Sequence, residues 1–266
     1  MKLFKSNFIH FLFGIGLSAT LLTGCNESNI NVSQLDLQND TAFFEGAPYS
    51  GAAFDQDQKG NIIKQLQYKK GLLDGPFMAY YPGNGIKEEG EYAMGKRTGV
   101  WKRYHENGKV ALEGAFENGQ KNGPWIYWYD NDTLQFKGDW THDKQEGIWR
   151  SWYNDGTLQS EVSWSLGVQE GWEKKYYANG ELRSEGQFAK GEQVGEWKWY
   201  FEDGSSESIE HWKDGLAHGS VVKYYANGQK MLEGNWVDGK KDGVFKEWDE
   251  GGKLIAEENF DNGKKL

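Results

Sequence analysis

The chain has 266 residues, 30 basic against 40 acidic, with 36 glycines, 4 prolines and 15% aromatic residues. A formal charge of −10 repels phosphate backbones and anionic headgroups, which argues against nucleic acid as a partner and against a folded surface that clings to acidic lipid. So many aromatics argue against a disordered chain, and glycine beside tryptophan and tyrosine points to tight turns joining short strands.

The chain opens with Lys2 and Lys5 and an apolar run from Phe8 to Leu22, interrupted by His10, Ser18 and Thr20. That run is marginal for a permanent span, which takes roughly 20 apolar residues, and it matches a signal peptide. Leu22-Thr23-Gly24-Cys25 resembles the bacterial lipobox, in which a small residue precedes a cysteine that receives diacylglycerol. Cys25 is the only cysteine, which fits a lipid attachment point and leaves no internal disulfide. The expectation is a signal peptide over 1–24, a lipid on Cys25 and a place in the bacterial cell envelope. Asn26, rather than aspartate, after the cysteine favours the outer membrane in an organism with two. The mature chain loses two lysines and no carboxylate, leaving 28 basic against 40 acidic residues and a charge of −12. Residues 26–40 are polar and lack glycine, tyrosine and tryptophan. They read as a spacer, so that 25–42 form a flexible linker and 43–266 the folded domain.

From there the sequence is periodic. Glycine stands at 51, 75, 99, 123, 147, 171, 195, 219 and 243, always 24 residues apart. With each as position zero, position 17 is always aromatic: Tyr68, Tyr92, Phe116, Trp140, Trp164, Phe188, Trp212, Trp236 and Phe260. Position 20 is glycine in every unit except at Asp143. Tandem units of this length indicate one supersecondary element per repeat. The centre of unit 99–122, Asn107-Gly108, signals a two-residue type I′ hairpin turn. Asp155-Gly156, Asn179-Gly180, Asp203-Gly204, Asn227-Gly228 and Gly251-Gly252 fill the same slot, while Pro82-Gly83-Asn84-Gly85 and Asn131-Asp132 suggest different turns there. The strand that follows alternates in character, so one face is covered and one wet.

Counting across a two-residue turn sets Trp101 opposite Gly114, Phe116 opposite Gly99 and His105 opposite Val110. Each ring then covers a glycine on the neighbouring strand. The predicted fold is all-β, an elongated array of about nine 24-residue hairpin repeats in a twisted antiparallel sheet. At two strands per unit it spans roughly 85 Å.

The pattern Gly-x-Trp-x-x-Tyr-Tyr-x-x-Gly-x-Leu, then an aromatic and a glycine turn, is approached at 147–167 and 171–191. It resembles the MORN repeat variant of bacterial proteins, many of them grouped with the YwqK-family antitoxins, and the resemblance covers about residues 43–266. It implies an extended β-array that serves as a binding surface, with an antitoxin-like role as one form.

No catalytic or cofactor motif is present. The histidines at 10, 105, 142, 211 and 218 lack metal-pair spacing, and neither a nucleophile elbow nor a phosphate-binding loop occurs. The reading is therefore not an enzyme, with no metal and no cofactor. A binding row is the better candidate. Position 5 holds Tyr80, Tyr104, Trp128, Trp152, Tyr176, Tyr200, Tyr224 and Trp248, broken only by Gln56 in the first unit. Parity puts this column on the face away from the glycine-covering rings. Its flat rings suit an extended protein segment or a glycan, or they form a second buried layer. The functional expectation is a lipid-anchored scaffold for a protein partner, with a carbohydrate- or peptidoglycan-binding module as the alternative.

Overall fold

The computed structural model describes residues 29–266; the expected signal peptide and Cys25 lie outside the described residues. The fold is nine antiparallel hairpins, from Gly51–Gln56 paired with Ile62–Lys69 to Gly243–Trp248 paired with Leu254–Asp261. Each hairpin pairs with the next, so that one long sheet of 22 strands carries the whole array. Among the described residues there is no α-helix.

The register inside each hairpin is the predicted one. Trp101 faces Gly114 and Phe116 faces Gly99. The turn is not the predicted one. Gly108 donates its N–H to the His105 carbonyl and His105 N–H reaches the Lys109 carbonyl, both within 2.9 Å, which makes a type I turn closed by Gly108 at φ 82°. A three-residue loop of this kind shifts the pairing by one residue relative to a two-residue turn. Next along, Arg103 faces Leu112 while Tyr104 faces Val110, so Ala111 bulges out and the shift is cancelled. Val110 consequently pairs with Tyr104, and His105 sits in the turn. Of the turns expected to be different, the one at Asn131-Asp132 shares this geometry, with Asp132 left-handed at φ 72°, whereas the turn at Pro82-Gly83 does differ: Gly83 at φ 102° makes it type II, closed by Asn84 at φ 69°.

Type I′ turns occur instead between repeats. Glu117 pairs with Gln120 around Asn118 and Gly119, whose φ values are both positive, and the same two-residue connection recurs at every junction. At one junction the first turn position is Leu166, at φ 49° and 60% exposed. A left-handed conformation costs a residue with a Cβ roughly 1–2 kcal/mol, and asparagine is the residue besides glycine that tolerates it. Leu166→Asn is expected to raise stability by about 0.5–1 kcal/mol, read as a higher urea midpoint; an unchanged midpoint would mean that the leucine is not strained.

The N-terminal segment is a correction. Residues 29–42 are not a linker. Ile30–Asn31 adds a short parallel strand to the edge of Gly51–Gln56, and Val32–Gln34 is a 3₁₀ turn capped by Asn31. Asp36–Gln38, Thr41–Phe44 and Ala47–Pro48 form a separate three-stranded sheet. Ile30, Leu35 and Ala42 pack with Ala53 and Tyr68 in a core of their own. A mostly polar composition hides this because three apolar residues, Ile30, Leu35 and Ala42, suffice to cover the otherwise open first edge.

Candidate functional site

The junctions between repeats hold the array together. Beyond each type I′ turn the ladder steps: Thr98 faces Glu91 but Lys102 faces Glu89. Gly99, at φ 65°, makes that wide bulge and lays the Trp101 ring over Gly90 of the preceding repeat. A Cβ on Gly90 would meet the ring at 2.2 Å. The glycine beneath each ring is therefore not its own hairpin's, as the count suggested, but the previous one's. Trp125 covers Gly114, Trp149 covers Gly138, Trp197 covers Gly186 and Phe245 covers Gly234. Each indole N–H donates to the carbonyl after the covered glycine, for example Trp125 to Ala115 at 3.1 Å and Trp149 to Asp139 at 3.1 Å. The position 17 ring of the preceding repeat then packs edge-on, as in Phe116 against Trp125 and Trp140 against Trp149.

Most of these rings also carry a lid. The Arg97 guanidinium sits 4.0 Å over Trp101, Lys121 4.4 Å over both Trp125 and Trp140, and Lys241 4.7 Å over Phe245. Burial among these rings pulls the Lys121 ammonium below its usual pKa. Trp197 has Trp199 stacked on it at 5.7 Å, and Tyr127 leans on Trp125. Trp101, Trp125, Trp197 and Phe245 are accordingly no more than 3% exposed.

Trp149 differs. Its lid positions hold Gln145 and Ser151, where repeat 99–122 supplies Lys121 and repeat 123–146 supplies Tyr127, and its ring is part-exposed. The next clasp is also missing, since Val162 stands where a glycine would and Glu173 where an indole would. In unit 171–194 the tryptophan comes one residue early, at Trp172. Glu173 is 5% exposed and paired with Lys175 at 2.8 Å. The vacated space is a depression of about 410 Å³ bounded by Tyr127, Phe136, Trp149 and Trp164, with Gln145, Ser151 and Ser160 among its polar groups. The Ser151 and Ser160 hydroxyls lie 2.7 Å apart and Ser151 reaches Gln159 at 3.1 Å. None of these residues belonged to the predicted row. The signal was in the columns: Gln145 and Ser151 fill the two positions that hold Lys121 and Tyr127 one repeat earlier.

The predicted row, Tyr80, Tyr104, Trp128, Trp152, Tyr176, Tyr200, Tyr224 and Trp248, lies on the other face and is half-buried throughout. Its members are two strands apart, roughly 10 Å. Their hydroxyls point to the previous repeat: Tyr104 donates to Glu89 at 2.6 Å, Tyr200 to Glu185 at 3.3 Å and Tyr80 to Gln65 at 2.9 Å. Burial, then the bond to Glu89, drives the Tyr104 hydroxyl well above its usual pKa, and burial raises Tyr80, Tyr176 and Tyr200 too. Tyr80, Tyr104 and Tyr200 thus present neutral donors already engaged. Beside it, position 1 places Val100, Ile148 and Trp172 at 49–55% exposure, with Pro124 exposed among them.

The hairpin tips are zipped as well. Tyr81, Tyr129, Tyr153, Tyr177 and Tyr225 each donate a hydroxyl to a carbonyl 23 residues on, as Tyr153 does to Tyr176 at 2.8 Å. His105 holds the same place, its Nε2 2.9 Å from the Trp128 carbonyl. His211 and His218 serve separate partners, the Ser220 carbonyl and Asp238.

A single sheet of hairpins clasped ring over glycine from one repeat to the next defines a β-hairpin repeat protein. More particularly, the MORN repeat variant family is matched over residues 97–118, 145–165, 169–190, 193–214, 217–238 and 241–262, and these repeats belong to it. Each matched unit runs from just past one type I′ turn to the next, one hairpin per unit. No curated protein matches the chain. Among solved structures the chain is similar to one titled a crystal structure of TcdB2-TccC3-TEV, at 11% identity over 82% of this chain and 13% of that one, with a TM-score of 0.18. It is similar also to the Photorhabdus luminescens Tc holotoxin pore, at 11% identity over 80% of this chain and 15% of that one, with a TM-score of 0.19. The chain spans a small fraction of those proteins, and a likeness so slight carries nothing about function.

Proposed function

We propose that the protein is a non-catalytic interaction scaffold whose sheet docks a protein partner at a cell envelope. The observation that carries this reading is the row of exposed apolar side chains Val100, Pro124, Ile148 and Trp172 on four successive repeats. Single exposed apolar residues are ordinary, whereas one at the same position of four successive repeats, beside half-buried aromatics, is what partner surfaces look like. The lipid tether rests on Leu22-Thr23-Gly24-Cys25 and on the sole cysteine; acyl chains would supply the membrane attachment that an acidic surface does not. An antitoxin- or immunity-like role is one form of such docking.

The test is mild crosslinking in membranes followed by pull-down, with wild type, Ile148→Glu/Trp172→Glu and Cys25→Ser compared. The expected result is one specific protein recovered with wild type and lost with the double substitution, whose circular dichroism stays native. Recovery of the same protein with the double substitution would remove this face as the docking surface. Loss with Cys25→Ser would show that the partner is met only at the membrane.

A further inference from the structure

The depression over Trp149 lies on the opposite face from the docking row and goes beyond that reading. We propose that it is a binding site for a neutral pyranose residue of a glycan, stacked on the exposed face of the Trp149 indole.

Comparison among the repeats singles out the Trp149 ring. A clasp ring in this sheet has one face pressed on a glycine, so only its outer face can receive anything. Arg97 occupies that outer face at Trp101, Lys121 and Tyr127 at Trp125, Trp199 at Trp197 and Lys241 at Phe245. At Trp149 both sources of cover are withdrawn together, the cation to Gln145 and the ring to Ser151. The inner face keeps its full set of contacts: Gly138 beneath, Trp140 edge-on at 5.3 Å and the indole N–H on Asp139. The platform is therefore rigid and its outer face free. An aromatic face surrounded by a few fixed polar groups is the composition of small-ligand sites, and about 410 Å³ falls within their usual roughly 300–1,000 Å³.

The polar groups select the chemistry. Ser151 donates to Gln159, so in the Ser151–Ser160 pair the proton between the two oxygens comes from Ser160. Ser160 Oγ is left with lone pairs and accepts. The Gln145 amide, lining the same depression, offers both a donor and an acceptor. A polyol with an apolar ring face satisfies both while its C–H groups lie on the indole. A purely apolar side chain would leave the amide and the hydroxyl oxygen unpaired, which costs binding energy. Arg150, the one cation of the lining, is held by Glu161 at 2.7 Å, and the chain's net charge of −10 disfavours acidic sugars, hence a neutral residue.

The experiment uses the full chain in detergent, with maltotetraose, cellotetraose and chitotetraose as probes and acetyl-phenylalaninamide as the apolar competitor. The readout is the Trp149 indole N–H resonance. One of the oligosaccharides is expected to shift it saturably. Gln145→Lys and Ser151→Tyr rebuild the lids that Lys121 and Tyr127 form one repeat earlier. Each is expected to weaken that binding by roughly tenfold or more while leaving the thermal midpoint unchanged or raised. If none of the three sugars moves the resonance, or both variants bind as wild type does, or acetyl-phenylalaninamide binds there in preference to sugar, the proposal fails. None of these outcomes bears on the Ile148 and Trp172 face.

Discussion

Gly114→Leu is expected to destabilise the junction between repeats 99–122 and 123–146 by about 3 kcal/mol. A Cβ at this glycine would lie 2.3 Å from the Trp125 ring, so the indole must lift. Lifting it breaks the bond from its N–H to the Ala115 carbonyl and its edge contact with Phe116, and it pulls the ring from beneath Lys121. Trp125→Phe alone leaves part of that space empty and loses the indole hydrogen bond, for about 2 kcal/mol. The first junction already contains the pair Leu66 and Phe77 at these two positions, packed against each other. The double substitution copies it, and the two losses should fall short of additive by about 1–3 kcal/mol. A repeat array does not have to unfold as one unit, so amide hydrogen exchange across 112–127 is the suitable readout beside urea midpoints. Strict additivity would show that the glycine and the ring are not one unit.

That pairing was written in the sequence at a constant separation of 11. Glycines 90, 114, 138, 186 and 234 precede Trp101, Trp125, Trp149, Trp197 and Phe245, and where the first member is Leu66, Val162 or Glu210 the second is Phe77, Glu173 or Val221. A count within one hairpin reaches only Trp101, although Gly114 has a strand on each side and Trp125 lies on the other. Register survived a mistaken turn because two one-residue irregularities, the left-handed Gly108 and the bulged Ala111, cancel. Alternation in a single strand could not reveal either of them, since parity is the same with both or with neither. The repeat length, the hairpin and the face of the tyrosine column were legible because they depend on strict period. The N-terminal cap and the opening at Trp149 were not, because each is a departure from period whose meaning lies in what its neighbours place around it.

The largest gain should come from closing the array at the junction where Glu173 replaces the ring. Val162→Gly together with Glu173→Trp would install between repeats 147–170 and 171–194 the clasp that five other junctions possess. Glu173 is a buried carboxylate held by Lys175, and replacing a buried ion pair by well-packed apolar groups is often neutral or stabilising by 1–4 kcal/mol. The new indole would bury apolar area worth about 25 cal/mol per Å² and find the Ser163 carbonyl for its N–H, as Trp149 finds Asp139. The double variant is expected to be about 1–3 kcal/mol more stable than wild type, read as a raised midpoint with stronger exchange protection across 160–175. The single changes should go the other way. Val162→Gly alone empties a packed position, and Glu173→Trp alone drives a ring into the valine. If the double variant is no better than either single, the clasp does not transfer between junctions and the glycine beneath each ring is set by local backbone instead. If it is stabilised as expected while sugar binding at Trp149 persists, the missing clasp and the open platform are separate features of the same repeat.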